Sequence, residues 1–345
     1  MTIRTSYERV SLDLETPFTI ARGTTSETEN FIVRLTDEGG TTGIGGAAPA
    51  PRYGETPATV AAVLPELLEI VEEIDDPHAL HALETRMKDR VSGNPAARCG
   101  VSIAAHDLAA RRLGVSLHRM WGLTPSHTPV TSFTIGLDTV KNMREKATAA
   151  AADHSVLKLK LGGDRDREIV KTVREAAPDT RLRVDANEAW TPKETVRKSA
   201  WLADSNVEFI EQPVSAEDPD GLKFVYEHSP LPIAVDESCV TLSDIPRIAD
   251  RADIATIKLM KCGGLLEARR MIATAQAHGL EIMLGCMVES NASIAAGCQL
   301  APLLDYADLD GSLLLASDPI EGVDLSSGQI RVGQRDIGGT GARES

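Results

Sequence analysis

Aromatic residues make up only 3% of this 345-residue chain, so Leu, Val, Ile and Ala must build its core. The five cysteines (Cys99, Cys239, Cys262, Cys286, Cys298) are odd in number and contain no CxxC pair. Neither a disulfide framework nor a zinc knuckle is indicated, and free thiols in a reducing compartment fit best. Long apolar runs are missing too: nothing approaches the roughly 18 residues of a membrane span, and MTIRTSYERVSLDLETPF lacks the apolar stretch of a signal peptide. The expectation is a soluble, cytoplasmic protein with no membrane partner. Positive charge is in deficit, with 36 Lys and Arg against 51 Asp and Glu. The resulting formal charge of −15 repels phosphate backbones and excludes nucleic acid as a partner. The same excess suits a well-solvated surface, or a salty cytoplasm in which dense carboxylates hold water and their self-repulsion is screened.

The length accommodates a barrel of about 250 residues with a smaller companion. Residues 1 to 47 alternate apolar and polar positions (Ile3, Tyr7, Val10, Leu12; then Phe31, Val33, Leu35) around the turn-rich DEGGTTG, which predicts antiparallel strands with a hairpin. From 56 to 121 the spacing becomes helical, as in ATVAAVLPELLEIVEEI and CGVSIAAHDLAARRLG, so the first unit is α+β. Beyond 129 come short β-branched runs: TSFTIG, SVLKLKLGG, RLRVDANEAW, VEFIEQP, LPIAVDES, IATIKLMKCGG, EIMLGCMVES and YADLDG, with amphipathic stretches between most of them. Eight such units close into a (β/α) barrel. The tail GGTGARES has no apolar periodicity and is expected to be a mobile end.

Charged or polar groups stand where the apolar runs stop: Lys158 and Lys160, Asp185 and Asn187, Glu211, Asp236 and Glu237, Lys258, then Asp308 and Asp310, recurring every 22 to 27 residues with GCMVES between the last two. In a closed parallel barrel these side chains converge on the C-terminal face, where barrel enzymes carry their active sites. One carboxylate between strand and helix is commonly a helix cap. Three in successive units, Asp185, Glu211 and Asp236, would repel one another unless a cation sat between them, and hard oxygens with no His or Cys among them suit Mg²⁺ and not zinc. Strand alternation points Lys158 and Lys160 alike into the barrel, where like charges would lower an ammonium toward the range of a useful base. Lys160 is then the base and Lys158 its tuner. Lys258, four strands on, faces them across the mouth and can hold a proton on the opposite face of one carbon. Lys261 reads as a helix-start or surface residue outside this set. The chemistry is proton transfer at a carbon next to a carboxylate, with the metal stabilising the developing charge.

The order LKLK, DAN, EQP, DES, IKLMKCGG, GCMVES and DLDG resembles the enolase superfamily in its muconate-lactonizing-like branch, and within it the L-Ala-D/L-Glu epimerases. TPFTIARG and PRYGE resemble that group's two capping loops, about 19 to 29 and 49 to 55, so the likeness spans nearly the whole chain. It implies a (β/α)7β TIM-like barrel at 126–320, an N-terminal α+β capping domain at 1–125, and a C-terminal segment, 321–345, that returns to complete the cap. It implies Mg²⁺ on Asp185, Glu211 and Asp236, Lys160 and Lys258 as the acid/base pair, and a small dipeptide as substrate. Asp308 and Asp310 would hold the dipeptide's ammonium, the backbone around Cys286 and Val288 would meet its carboxyl or peptide groups, and Arg22 would face an acidic second side chain.

Two departures stand out: Gly46 replaces the glutamate of the group's usual GxGE, and Thr256 replaces the Asn of NIK. A dehydratase of the superfamily is disfavoured because LGCMVES carries no histidine. Cycloisomerases, o-succinylbenzoate synthases and N-succinylamino acid racemases share the lysine pair, and only the DLDG carboxylates and Arg22 speak against them. A non-catalytic ligand-binding barrel is the reading from another class, and a homo-oligomer stays open.

Overall fold

The computed structural model describes residues 2–332 and 338–345. Its N-terminal part is a three-stranded antiparallel sheet, β1 (Arg4–Ile20), β2 (Gly23–Thr36) and β3 (Thr42–Ala47), packed against α1 (Pro57–Ile74) and α3 (Pro95–Arg112), with α2 (Leu80–Arg90) packed on both helices. The expected turn at DEGGTTG joins β2 to β3, where Asp37 Oδ1 accepts the Thr41 amide at 2.9 Å. A second hairpin, unmarked by turn residues, closes at Ala21 and Arg22 between Ile20 and Gly23. Much of the 19–29 segment is therefore the tip of a paired ribbon and not an irregular loop.

Glycines set how closely β3 and α3 approach. A Cβ at Gly43 would lie 2.2 Å from the Ala104 carbonyl oxygen, and one at Gly45 2.1 Å from that of Gly100, so the helix backbone rests directly on the strand. Gly46 points to another neighbour: its Cβ would meet Ala292 Cβ and Ser293 N at 3.1 Å. Any side chain there would require those residues to give by a few tenths of an ångström.

The N-terminus of α3 is satisfied by a carboxylate from outside the helix. Asn94 makes no side-chain cap, and Glu55 accepts from the amides of Ala96 (2.9 Å) and Ala97 (3.4 Å) instead. Burial pushes the Glu55 carboxyl up to about 7, although those amides and Arg98 pull the other way. Folded Glu55 thus holds its proton more tightly than unfolded Glu55. Its contribution to stability is whole below the unfolded value near 4.5 and is lost as pH rises through about 7. We expect urea unfolding to show a loss of up to about 3 kcal/mol across that window, and Glu55→Gln to flatten that part of the profile. An equally steep profile in the variant would assign the titration to another group.

The rest of the chain alternates strand and helix, preceded by the short α4 (Leu117–Met120). In order come β4 (Phe133–Ile135), α5 (Val140–Asp153), β5 (Val156–Lys160), α6 (Asp166–Ala176), β6 (Arg181–Asp185), α7 (Pro192–Asp204), β7 (Val207–Glu211) and α8 (Pro219–His228). There follow β8 (Ile233–Val235), α9 (Ile245–Ile248), β9 (Ile254–Lys258), α10 (Leu259–Cys262), α11 (Leu265–Ala277), β10 (Glu281–Gly285), α12 (Asn291–Cys298) and β11 (Tyr306–Asp308). β4 to β11 lie side by side in chain order, each parallel to the next. The first and last meet through a parallel bridge, Thr131 to Ala307, reinforced by the Leu309 amide on Thr131 Oγ1 at 2.7 Å. The fold is the expected (β/α)7β barrel with an α+β companion.

The tail departs from expectation: residues 338–345 are docked. Thr340 donates to Asp107 Oδ1 through its amide (2.6 Å) and hydroxyl (3.0 Å), and β12 (Ile320–Glu321) pairs with β13 (Arg343–Glu344). Asp107 is buried on α3 and needs donors, which the tail supplies together with Ile44 N and Arg111. Anchoring of this kind leaves no hydrophobic period in the sequence.

Candidate active site

Strand register sets the chemistry in one tier. Lys160 pairs with Asp185, Asp185 with Glu211, and Gly285 with both Lys258 and Asp308; each is the last residue of its strand. Asp236 follows β8 directly. Because side chains alternate along a strand, Lys158 lies one layer below Lys160 on the same inward face. Gly285 keeps the mouth open for Lys258, since a Cβ there would lie 3.0 Å from Lys258 Cε.

Amines and carboxylates interlock at this tier in two groups. In the first, Lys158 Nζ lies 2.6 Å from Glu211 Oε2, 2.7 Å from Asp308 Oδ2 and 3.1 Å from Asp185 Oδ2, and Lys160 Nζ lies 2.6 Å from the same Asp185 oxygen. Burial alone would lower the Lys158 ammonium, but Asp308, Glu211 and Asp185 outweigh it and hold it well above the usual lysine value. Lys158, expected as the tuner of Lys160, thus keeps its own positive charge because three carboxylates face it. In the second group, Lys258 reaches Asp236 Oδ2 at 2.7 Å, and Lys261 bonds Asp236 Oδ1, the Asp236 carbonyl (2.6 Å) and the Thr256 carbonyl (3.0 Å). Lys261, expected outside the site, is wholly buried within it. Burial would raise the Asp236 carboxyl, yet Lys258 and Lys261 hold it far below the ordinary range.

Other groups brace these. Gln212, in left-handed backbone at φ 33°, accepts the amides of Asp236 (2.9 Å) and Ser238 (3.1 Å) on its Oε1. Asn187 Nδ2 donates to Asp185 Oδ2 (3.3 Å) and Glu237 Oε1 (3.4 Å). Asp308 accepts from Ser132 Oγ, and Asp310 Oδ2 accepts the Thr134 amide at 2.6 Å. Burial and the neighbouring Asp308 push the Asp310 carboxyl up to about 6. Cys286 and Val288 lie half-buried on the rim that follows β10. Arg22, from the β1–β2 hairpin, reaches Glu237 Oε1 at 2.9 Å, the Asn187 carbonyl at 3.1 Å and Glu188 Oε2 at 3.3 Å.

The structure therefore gathers Lys158, Lys160, Asp185, Glu211 and Asp308 into one ion-paired group and Asp236 and Lys258 into another, with Arg22 at the edge. Sequence reasoning missed Lys261, Gln212 and Gly285. Only Gly285 had a local signal, a glycine closing a strand where neighbouring strands end in charged residues.

The donor set suits a hard divalent cation. Both carboxylate oxygens of Glu211, Glu237 Oε2 and Asn187 Oδ1 are buried without an aligned hydrogen bond, Glu211 having only its close ion pair with Lys158. Among the described residues no three His, Cys, Asp or Glu side chains are gathered as they stand into a set that could hold an ion. The acids point at ammonium groups instead, and these supply the positive charge the cluster needs.

Residues 2–122 match the family described as "Mandelate racemase / muconate lactonizing enzyme, N-terminal domain", and residues 142–335 match "Enolase C-terminal domain-like". An L-Ala-D/L-Glu epimerase of Bacteroides thetaiotaomicron is 36% identical over 331 residues, covering 96% of this chain and 85% of that protein. The crystal structure of a dipeptide epimerase from Enterococcus faecalis V583, complexed with Mg and L-Leu-L-Tyr, superposes with a TM-score of 0.90 at 32% identity over 99% of each chain. That of an N-succinyl Arg/Lys racemase from Bacillus cereus superposes with a TM-score of 0.93 at 25% identity, over 100% of this chain and 96% of that one.

Proposed function

This chain belongs to the mandelate racemase/muconate lactonizing enzyme family of the enolase superfamily, and from that premise we propose that it is a dipeptide epimerase, an isomerase that inverts the α-carbon of a dipeptide's second residue. The observation that carries the reading is the pair of lysines ending β5 and β9, four strands apart, each beside a carboxylate at the barrel mouth.

Asp185, Glu211 and Asp236 would hold Mg²⁺, which when bound supplies Lewis-acid stabilisation of the negative charge that develops on the substrate carboxylate. Lys160, as the free amine, takes the α-proton from one face, and Lys258, as the ammonium, delivers a proton to the other, which inverts the centre. The reverse direction exchanges their roles. Lys158 stays protonated among Glu211, Asp308 and Asp185 and supplies fixed positive charge beneath the reacting carbon. Asp310, with Asp308, offers carboxylate oxygens to the dipeptide's ammonium, the backbone at Cys286 and Val288 meets its carboxyl or peptide groups, and Arg22 meets an acidic second side chain. The same lysine pair would serve an N-succinylamino acid racemase, and a Bacillus cereus protein named an N-succinyl Arg/Lys racemase has a closely similar structure. A succinylated substrate, however, brings an anion and not an ammonium to Asp308 and Asp310, which favours the dipeptide. Five free cysteines fit action in a reducing cytoplasm, and no helix among the described residues is long and apolar enough to cross a membrane.

Proton exchange tests the reading. Incubated with Mg²⁺ and L-Ala-L-Glu or neutral dipeptides in heavy water, the protein is expected to place deuterium at the second residue's α-carbon, followed by NMR. Exchange confined to N-succinylamino acids would transfer the assignment to the racemases, and none with either class would leave a non-catalytic barrel.

A further inference from the structure

Glu188 lies just beyond β6, in a turn whose cost needs a reason. Asn187 and Glu188 both adopt left-handed backbone, φ 44° and 69°, a pairing that non-glycine residues hold only when their surroundings enforce it. The Asn187 amide is bonded to Asp185 Oδ1 at 2.9 Å and the Glu188 amide to the Gln212 carbonyl at 2.8 Å, so the turn is locked from below. The result is a carboxylate raised toward the cap, and its bonds tie three other segments to this turn. Oε1 accepts from the Ala216 amide (2.9 Å), on the loop after β7, and from Arg52 Nη2 (2.9 Å). Oε2 accepts from Arg52 Nε (3.1 Å) and Arg22 Nη1 (3.3 Å). The Arg52 contact is a two-pronged fork, the strongest geometry open to a guanidinium and a carboxylate. Arg52 belongs to the short turn Pro51–Tyr53 and Arg22 to the β1–β2 hairpin tip. The Glu188 side chain is 13% exposed and each arginine 37%, so the pairing is shielded at the acid and open to solvent at the bases.

We propose that Glu188 is a positioning residue that pins both capping segments, through Arg52 and Arg22, onto the barrel mouth. It touches neither lysine of the acid/base pair, and acts by keeping the closed arrangement populated before substrate arrives. Its effect on turnover rests on the dipeptide reading; its effect on the segments does not. If the open state gains population, ligand binding must supply the closure that Glu188 otherwise provides, and apparent affinity falls by the fraction that stays closed. Once substrate is bound the segments are closed in either case, so kcat changes little.

Trypsin reads the clamp directly, because the two clamped arginines are among its cleavage sites. In the native full-length protein without substrate, Glu188→Gln is expected to speed cleavage after Arg22 and Arg52 about tenfold. Arg52→Lys keeps a tryptic site while breaking the fork. It should speed cleavage after position 52 similarly, and combining it with Glu188→Gln should add nothing further there. With a dipeptide that the wild type turns over, Glu188→Gln should raise KM about tenfold with kcat changed less than about threefold. Unchanged cleavage at both arginines, additive effects at position 52, or a fall in kcat at constant KM would overturn the proposal. Should Glu188→Gln fail to fold, Arg52→Lys alone decides it at position 52. A wild type inert toward every dipeptide would sink the dipeptide reading and leave the proteolysis result standing by itself.

Discussion

Lys160→Ala and Lys258→Ala are each expected to abolish epimerisation, by at least about a thousandfold, and to fail differently. Inversion needs a base on one face of the α-carbon and an acid on the other, so either deletion breaks the cycle. Removal and return on a single face needs only one amine. Lys160→Ala is therefore expected to keep deuterium exchange from the stereoisomer whose α-proton faces Lys258, and Lys258→Ala from the opposite one. Folding should survive both changes, since Asp185 keeps Lys158 and Asp236 keeps Lys261 as counter-charge. The measurement is α-carbon deuteration of L-Ala-L-Glu and L-Ala-D-Glu by NMR, alongside circular dichroism. Full epimerisation by either variant would refute the two-base assignment, and loss of exchange from both stereoisomers in both variants would place these lysines in a binding or supporting role.

Asp236→Asn should be costly in two ways that can be measured separately. Its carboxylate is the counter-charge shared by Lys258 and Lys261, and the Lys261 side chain has no exposure to solvent. Removing one partner of a buried ion pair leaves the other uncompensated, at about 3–5 kcal/mol. Urea unfolding should register a loss of that order even in the presence of a chelator, and dipeptide turnover should vanish at any Mg²⁺ concentration. Adding Lys261→Met removes the stranded ammonium and should recover part of the stability, while activity stays absent. A stability change within about 0.5 kcal/mol would mean that Asp236 is not needed as the counter-charge of the two lysines.

The amino-acid sequence by itself determined the repeating architecture and the side chains delivered to the barrel mouth. Period-two and helical spacing are local properties, so runs such as SVLKLKLGG and EIMLGCMVES marked β5 and β10 without knowledge of their neighbours. The residue closing each run then followed from where the apolar stretch ended, which is how Lys160, Asp185, Glu211, Lys258 and Asp308 could be read as occupants of one tier. Only the tertiary structure decided which charge answers which. Lys158 and Asp308 lie 150 positions apart, and Arg22 and Glu188 166, and such partners are chosen by barrel closure and strand register. Lys261 looked like a surface residue because α10 is too short to show a buried face by its spacing, yet its amine is drawn inward to Asp236. The tail looked free because Asp107, its anchor, is more than two hundred residues away on α3. Local pattern fixes conformation because backbone preferences act over a few residues; electrostatic partnership acts through space, and space exists only once the chain has folded.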